Sequence, residues 1–478
     1  MNGHVLDWSK PWQHYFEETT RIPHGSYHEQ PLSDWLVSFA KEQNLEYKQY
    51  PCGNVIIKAP ASAGYEDHPA VVIQAHMDMV WEKTAESTHD FLTEPLKLRI
   101  EDGWLMATDT TLGADDCTGV AYMLAILADK TLPHPPLECV FTVSEETGME
   151  GAFKMEPADL TGLRFISLDG GGEGRSTVIT SAGGVKCKET IPLHRAATDR
   201  EGFRLTVDGL SGGHSGICIG QEKGNAIRLC ARVLNRMREC GPLFLADIAG
   251  GDKDNAIPRT CTAEFSGYAL KEDLEQILRE EEEKIRGELA YSDPEVRISL
   301  ESCRVQWLID PESTDRLIDF LLLVPGPVQH RSMVLDLVTA SENLASVKIT
   351  EEGAGISVSL RAERGSYLET MANELRMLSS LYGGIQAEYG RYPSWAYEEK
   401  SALRDTFCEV MTQLTGSETV LQAVHGGLEC GVFKSKWPGM EIVTFGPKAE
   451  NVHTPQERLN LESFDRCFGL LCSLLERL

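Results

Sequence analysis

The sequence predicts an α/β protein in which a mainly parallel sheet domain is interrupted by an inserted α+β domain. Three observations carry this. The chain has 478 residues, and a single hydrophobic core stops growing at roughly 250–300 residues. Four short β-rich apolar runs alternate with helical patterns, the order a parallel sheet requires. Between the third and fourth runs lies a long stretch whose strand and helix patterns follow a less regular order.

The elements follow in chain order. Val71-Val72-Ile73-Gln74-Ala75 is a strand-like run that ends at His76. Residues 120–127 form the clearest helical pattern, opened by Asp115-Asp116 in the position of an N-terminal cap. Residues 137–143 (LECVFTV) are β-rich and end at Ser144-Glu145-Glu146. Phe165-Ile166-Ser167-Leu168 ends at Asp169 and three glycines. The middle, residues 186–393, carries β-like stretches at 203–207, 296–300 and 356–360. Between them Ile227, Cys230, Leu234 and Met237 recur at helical spacing, and residues 270–289 form an acidic helical pattern. Residues 394–478 return to helices and the Ile442-Val443-Thr444-Phe445 strand. The domains are therefore 1–185 and 394–478 for the split sheet domain and 186–393 for the insert. The patterns leave open a diverged duplication inside the insert.

Composition narrows the function classes. Lys plus Arg is 45 and Asp plus Glu is 73, a formal charge of −28. Such a balance repels phosphate backbones and anionic membranes, which argues against nucleic-acid and membrane partners. The Glu280–Glu283 run reads as a solvated helix face. The first sixteen residues lack the basic and apolar segments of a signal peptide, and apolar runs are far shorter than the ~20 residues of a membrane span. The thirteen cysteines have no C-x-x-C pairing and read as reduced thiols of a cytoplasmic protein.

The chemistry-bearing residues gather where the strands end, and open α/β sheets place ligands outside the carboxyl ends of their strands. In His76-Met77-Asp78 an imidazole can bind a metal through one nitrogen while a carboxylate holds the other. Asp115 taken alone reads first as a helix cap and alternatively as a carboxylate shared by two cations. Glu145 and Glu146 are costly at a buried strand end unless paired or metal-bound, and as neighbours they point in different directions. Asp169 and His453 complete the set. The glycines after Asp169 do not make a phosphate loop, because no GK[ST] follows. Nitrogen and oxygen ligands without thiolates suit zinc, with manganese or cobalt as alternatives. Two rival nucleophiles are weak. Gly213-His214-Ser215-Gly216 lacks the closing glycine of a nucleophile elbow, with Ile217 in its place, and Cys430 with His425 reads as a structural cysteine.

These residues, in this order, resemble the co-catalytic metallopeptidases that include aminoacylase, carboxypeptidase G and the dipeptidases. The resemblance runs through QAHMDMV (74–80), TLGADD (111–116), SEETGMEGA (144–152), LDGGGEG (168–174), GLSGGHSG (209–216), GGDKDNAIPR (250–259), HGGLECG (425–431) and GPKAENVHTPQE (446–457). It implies a di-zinc peptidase domain with an inserted lid and dimerisation domain, enlarged as in the dipeptidase branch. It implies two Zn2+ per chain, or Mn2+ or Co2+, with His76 and Asp169 on one, Glu146 and His453 on the other and Asp115 bridging. Asp78 would orient His76, and Glu145 would be the general base. His214 would stabilise the oxyanion, Asn255, Arg259 and Arg361 would bind the substrate backbone and carboxylate, and Glu429 the amino group. Asp116 departs from the pattern, where Asn is expected. The implied reaction is hydrolysis of dipeptides, Xaa-His among them, by a homodimer joined through the insert. The alternatives are a deacylase of N-acyl amino acids and a non-catalytic metal-binding scaffold.

Overall fold

A computed structural model describes residues 4–333 and 337–478. Contacts divide the chain into two units. The first comprises residues up to 180, 397–423 and 428–478; the second comprises 181–396 and 424–427. Residues 424–427 thus join the second unit although they lie within 394–478 in sequence. Among the described residues no helix is long and apolar enough to cross a membrane.

The first unit is built on a six-stranded sheet ordered Glu46–Gln49, Val55–Ala59, Leu137–Thr142, Val71–His76, Arg164–Gly172, Glu441–Gly446. The last four are parallel, and the first two form an antiparallel edge. The parallel strands are apolar and buried on both faces because helices cover them. Helix Ala114–Ala128 packs on Val71–His76 and Arg164–Gly172. Its residues are buried almost throughout, which is why the sequence is apolar all round rather than striped. Gly119 permits this closeness, since a Cβ there would stand 2.7 Å from Leu168 Cβ and 2.8 Å from Ala75 Cβ. Phe16, Leu36, Ile73, Tyr122, Phe141, Phe445 and Phe464 belong to the core. A small sheet of Leu98–Glu101, Trp104–Ala107, Arg458–Asn460 and Ala449–Glu450 pins the hairpin that carries His453.

The second unit resolves the irregular middle of the sequence into two motifs of the same topology. One β-α-β-β-α-β motif runs Arg195–Asp208, Ala226–Met237, Leu243–Gly250, Cys261–Gly267, Lys271–Glu288, Arg297–Ile309. Its strands lie in the spatial order 4-1-3-2 of a split βαβ fold. A second motif runs Gly183–Ile191, Pro311–Leu323, Val338–Ile349, Ala354–Ala362, Gly365–Leu381, Ile385–Tyr392, with its strands ordered 2-3-1-4. The first motif is inserted between the first strand and first helix of the second. They join through their second strands, where Ala249 pairs with Lys348 and Gly250 with Val347. Ile227, Leu234, Phe265, Ile318 and Val358 belong to the shared core.

Candidate metal centre

Parallel register brings the first unit's candidates together. His76 ends its strand beside Thr142 of the next, so the segment that continues from Thr142 delivers Glu145 and Glu146 to the same end of the sheet. Asp169 lies towards the carboxyl end of the adjoining strand Arg164–Gly172. His453 lies between the two short strands of its hairpin.

Ligand atoms of His76, Asp115 and Glu146 all lie within 4.8 Å of one another. His76 Nε2 is 3.0 Å from Asp115 Oδ1, and His453 Nε2 is 3.6 Å from Asp115 Oδ2. Asp115 therefore presents one oxygen to each imidazole. The dihedrals explain how it is free to do so. Asp115 (φ −88°, ψ 107°) and Asp116 (φ −119°, ψ 34°) are non-helical, so the regular helix begins after them. Asp116, not Asp115, does the capping, its Oδ1 accepting the Gly119 N–H at 3.2 Å. The carboxyl at this departure from the expected Asn is buried, and burial pushes it well above the ordinary range.

Asp78 is placed beside His76 in a way the sequence reading does not anticipate. The His76 Nδ1 hydrogen bond goes to the Asp78 backbone carbonyl at 3.0 Å, while the carboxylate is 3.5 Å away. That carboxylate accepts the N–H groups of Glu145 (3.0 Å) and Glu146 (3.3 Å) and the Ser26 hydroxyl (2.8 Å). Burial alone would raise it, but His76 and the Glu145 N–H hold it below the usual range. Asp78 thus fixes both glutamates as well as the histidine. Glu29 adds to this by accepting the N–H and hydroxyl of Ser144 at 2.9 and 3.0 Å. Sequence reasoning missed Ser26 and Glu29, because a Ser and a Glu in a turn and at a helix start look like ordinary surface residues.

The electrostatics test whether cations fit. Burial, then Asp115, pushes the Asp169 carboxyl up to about 7. Asp115 and Glu146 push the His453 imidazole up to about 10. Burial, with Asp169, Glu429 and Glu146 adding, holds Glu145 well above the usual range against the pull of His76. Asp115, Glu145, Glu146 and Asp169, all partly buried, share the imidazoles of His76 and His453, an excess of acidic groups that a cation relieves. Glu146 Oε1 is buried without a hydrogen bond although His453 Nε2 is 2.7 Å away; the two atoms stand side by side as ligands of a common ion do. The residues fit a metal. Asp115, Asp116 and Asp169 also line a cavity of about 210 Å3.

Glu429 lies behind this cluster, fully buried. Its Oε2 accepts from Gln74 Nε2 and Thr142 Oγ1, both at 2.6 Å, and its buried Oε1 has no partner. Burial pushes it up to about 8. The neighbouring Cys430 thiol is buried and pushed up likewise, and His425 faces Ser341 Oγ at 2.7 Å; nothing here makes a thiolate nucleophile.

The remaining candidates lie in the second unit. His214 Nδ1 accepts the N–H groups of Gly216 (3.1 Å) and Ile217 (3.3 Å). That leaves its proton on Nε2, a hydrogen-bond donor. Burial and Arg361 hold its pKa below the ordinary value. Burial, Arg361 and His214 together push His425 down to about 4, so these three residues form one cluster. Arg361 donates to the Tyr392 hydroxyl at 2.7 Å. The strand Gly213–His214 pairs with Ala256–Ile257, and Arg259 lines a separate cavity of about 570 Å3. Asn255 is exposed, and its carbonyl accepts the Ser215 N–H at 2.8 Å.

The chain is similar to several known peptidases. A cytosol non-specific dipeptidase of Escherichia coli (strain K12) is 34% identical over 474 residues, 98% of each chain. The crystal structure of aminoacylhistidine dipeptidase from Vibrio alginolyticus matches with a TM-score of 0.91 and 31% identity, covering 98% of this chain and 96% of that one. Aminopeptidase PepT from Bacillus cereus ATCC 10987, at 15% identity over 99% of each chain and a TM-score of 0.56, shares the fold. Residues 72–477 match peptidase family M20/M25/M40, and the chain belongs to that family.

Proposed function

We propose that the protein is a metal-dependent dipeptidase that accepts Xaa-His and other unrelated dipeptides, with Glu145 as general base. The observation that carries this is the convergence of His76, Asp115, Glu146 and His453 on one point, with Glu145 adjoining Glu146 and its backbone N–H held by the Asp78 carboxylate. His76 and Asp169 would hold one zinc, Glu146 and His453 the other, with Asp115 shared; manganese and cobalt suit the same ligands. When bound, the cations polarise the scissile carbonyl and acidify water.

The chain's own groups do the rest. Glu145 takes the proton from the attacking water and returns it to the leaving amine. Its backbone is fixed by Asp78, so the carboxylate needs little reorganisation. His214 donates Nε2–H to the developing oxyanion. Asn255, Arg259 and Arg361 would bind the substrate backbone and carboxylate, and Glu429 the substrate amino group. The protein would act as a homodimer joined through the second unit, whose outer strands Arg297–Ile309 and Ile385–Tyr392 each have, among the described residues, one unpaired edge in the sheet order. The reading places the enzyme in the cytoplasm, where its thirteen free cysteines stay reduced.

The test is a substrate panel on zinc-loaded protein: carnosine, several Xaa-His dipeptides, unrelated dipeptides, tripeptides and N-acetyl amino acids. Cleavage of dipeptides that stops with a chelator and returns with zinc is the expected result. Cleavage of N-acetyl amino acids alone would replace the dipeptidase by a deacylase. Two bound cations with no cleavage of any substrate would point to a scaffold.

A further inference from the structure

Glu457 closes the motif that begins at Gly446, and it is buried although no substrate or cation role falls to it. Its carboxylate accepts three consecutive backbone N–H groups. Leu112 and Gly113 donate to Oε2 at 2.8 and 3.1 Å, and Ala114 donates to Oε1 at 2.8 Å. These donors precede the first turn of the helix, where no intrahelical acceptor exists, and the helix cap Gly113 has no side chain to offer. Hydrogen bonds to an ionised acceptor are about twice as strong as neutral ones. The clamp therefore ties the segment leading into Asp115 to a residue more than 340 positions away.

At the other end of the clamp is the hairpin that carries His453. Asn451 (φ 55°) and His453 (φ 63°) are both left-handed there. Such conformations persist in non-glycine residues only where the surroundings impose them. The hairpin is tied internally by Thr454 Oγ1 to the Asn451 carbonyl (2.7 Å) and by the Glu457 N–H to the Thr454 carbonyl (3.0 Å). Asp115 is secured towards His76 independently, because its helix packs on the strand of His76 through Gly119. Releasing Glu457 would leave the hairpin held by its pairing in the small sheet but no longer tied to the segment that leads into Asp115, loosening His453 relative to Asp115 while leaving Asp115 in place relative to His76.

We propose that Glu457 is a positioning residue that locks His453 to Asp115 and so sets the affinity of the second cation position, the one made by Glu146 and His453. The inference rests on the two-cation reading above.

The test is zinc titration of the full chain by calorimetry, beside competition with a chromogenic chelator. The wild type should take up two equivalents. E457Q is isosteric, but it lacks the charge and turns an amide N–H2 towards the N–H donors. It should keep the first equivalent at wild-type affinity and bind the second about 10–100-fold more weakly, the usual cost of losing an outer-shell partner. H453A supplies the reference for a lost second position. Turnover of E457Q should recover at high zinc, and that of H453A should not. A merely structural role would lower Tm and the active fraction without changing either affinity. Equal affinities in E457Q and wild type, or equal weakening of both positions, would overturn the proposal. If E457Q does not fold by circular dichroism, E457D, which keeps the charge and loses reach, should show the same selective loss; two wild-type affinities in folded E457D would overturn it. A wild type that binds fewer than two equivalents would instead sink the two-cation reading.

Discussion

Glu145 and Glu146 are neighbours in sequence with different surroundings. Glu146 faces His453. Glu145 is held by burial and by Asp169, Glu429 and Glu146 in a field that favours its protonated form. A carboxylate whose proton affinity is raised in this way accepts a proton from the attacking water better than a solvated carboxylate does. Glu145→Gln keeps size and removes the proton acceptor. It should therefore retain zinc in a titration while turnover falls by about 10²–10⁴-fold, the usual scale of general-base catalysis. Turnover at the wild-type rate would sink the assignment. These site residues are legible in sequence because each sits a few positions beyond a strand that its own composition reveals. The work of Asp116, Ser26 and Glu29 is not legible. It depends on which backbone N–H or side chain the fold brings opposite, and a lone polar residue in a turn carries no sign of its partner. The hydrogen bond from His76 to the carbonyl of Asp78 rather than its carboxylate is another such detail, since spacing alone does not separate the two acceptors.

At the scale of elements, the helix Ala114–Ala128 sets the position of Asp115, and Gly119 sets the helix. Helix propensity alone says that Gly119→Ala should stabilise the protein by about 1 kcal/mol. Contact says the opposite. The new methyl would meet Leu168 Cβ and Ala75 Cβ, both on core strands that cannot yield cheaply, and overpacking costs about 1–3 kcal/mol. The clash should win, so G119A should melt below wild type and bind zinc less tightly; a higher Tm would refute this account of the helix. A second element-scale prediction concerns Glu342 on the strand Val338–Ile349. It is buried, and burial, with Glu374 and Glu189 adding and Arg228 opposing, pushes it up to about 8. An unfolded glutamate titrates near about 4.3. Between these values the folded state holds a proton that the unfolded state releases. The stability contribution is therefore present in full at low pH and is lost as pH rises towards 8. E342Q abolishes this loss. Its Tm relative to wild type should rise steadily from pH 5 to pH 8, by an amount worth on the order of a few kcal/mol; a difference independent of pH would remove Glu342 as the source.

Among the described residues the two large cores are each assembled from distant parts of the chain. Length and alternation made the split α/β unit visible, and the four parallel strands fall where the apolar runs predict. The order within the second unit was hidden for a topological reason. One β-α-β-β-α-β motif interrupts the other after its first strand, so the second motif is never contiguous in sequence and no repeat period appears. The two-core organisation has a thermodynamic consequence that depends on where the cations bind. All five proposed metal ligands belong to the first unit, and the second contributes none. A ligand that binds only the folded state stabilises it by RT ln(1 + [L]/Kd), about 2.7 kcal/mol at a hundredfold excess over Kd. That stabilisation acts directly on the unit whose ligands it joins. Calorimetry of the full chain should therefore resolve two transitions. Zinc should raise one by several degrees, a chelator should lower the same one, and the other should stay where it is. The responsive transition should also be the one that G119A lowers, while the pH dependence removed by E342Q should belong to the other. A single transition that shifts as a whole with zinc would show instead that the two cores unfold as one cooperative body.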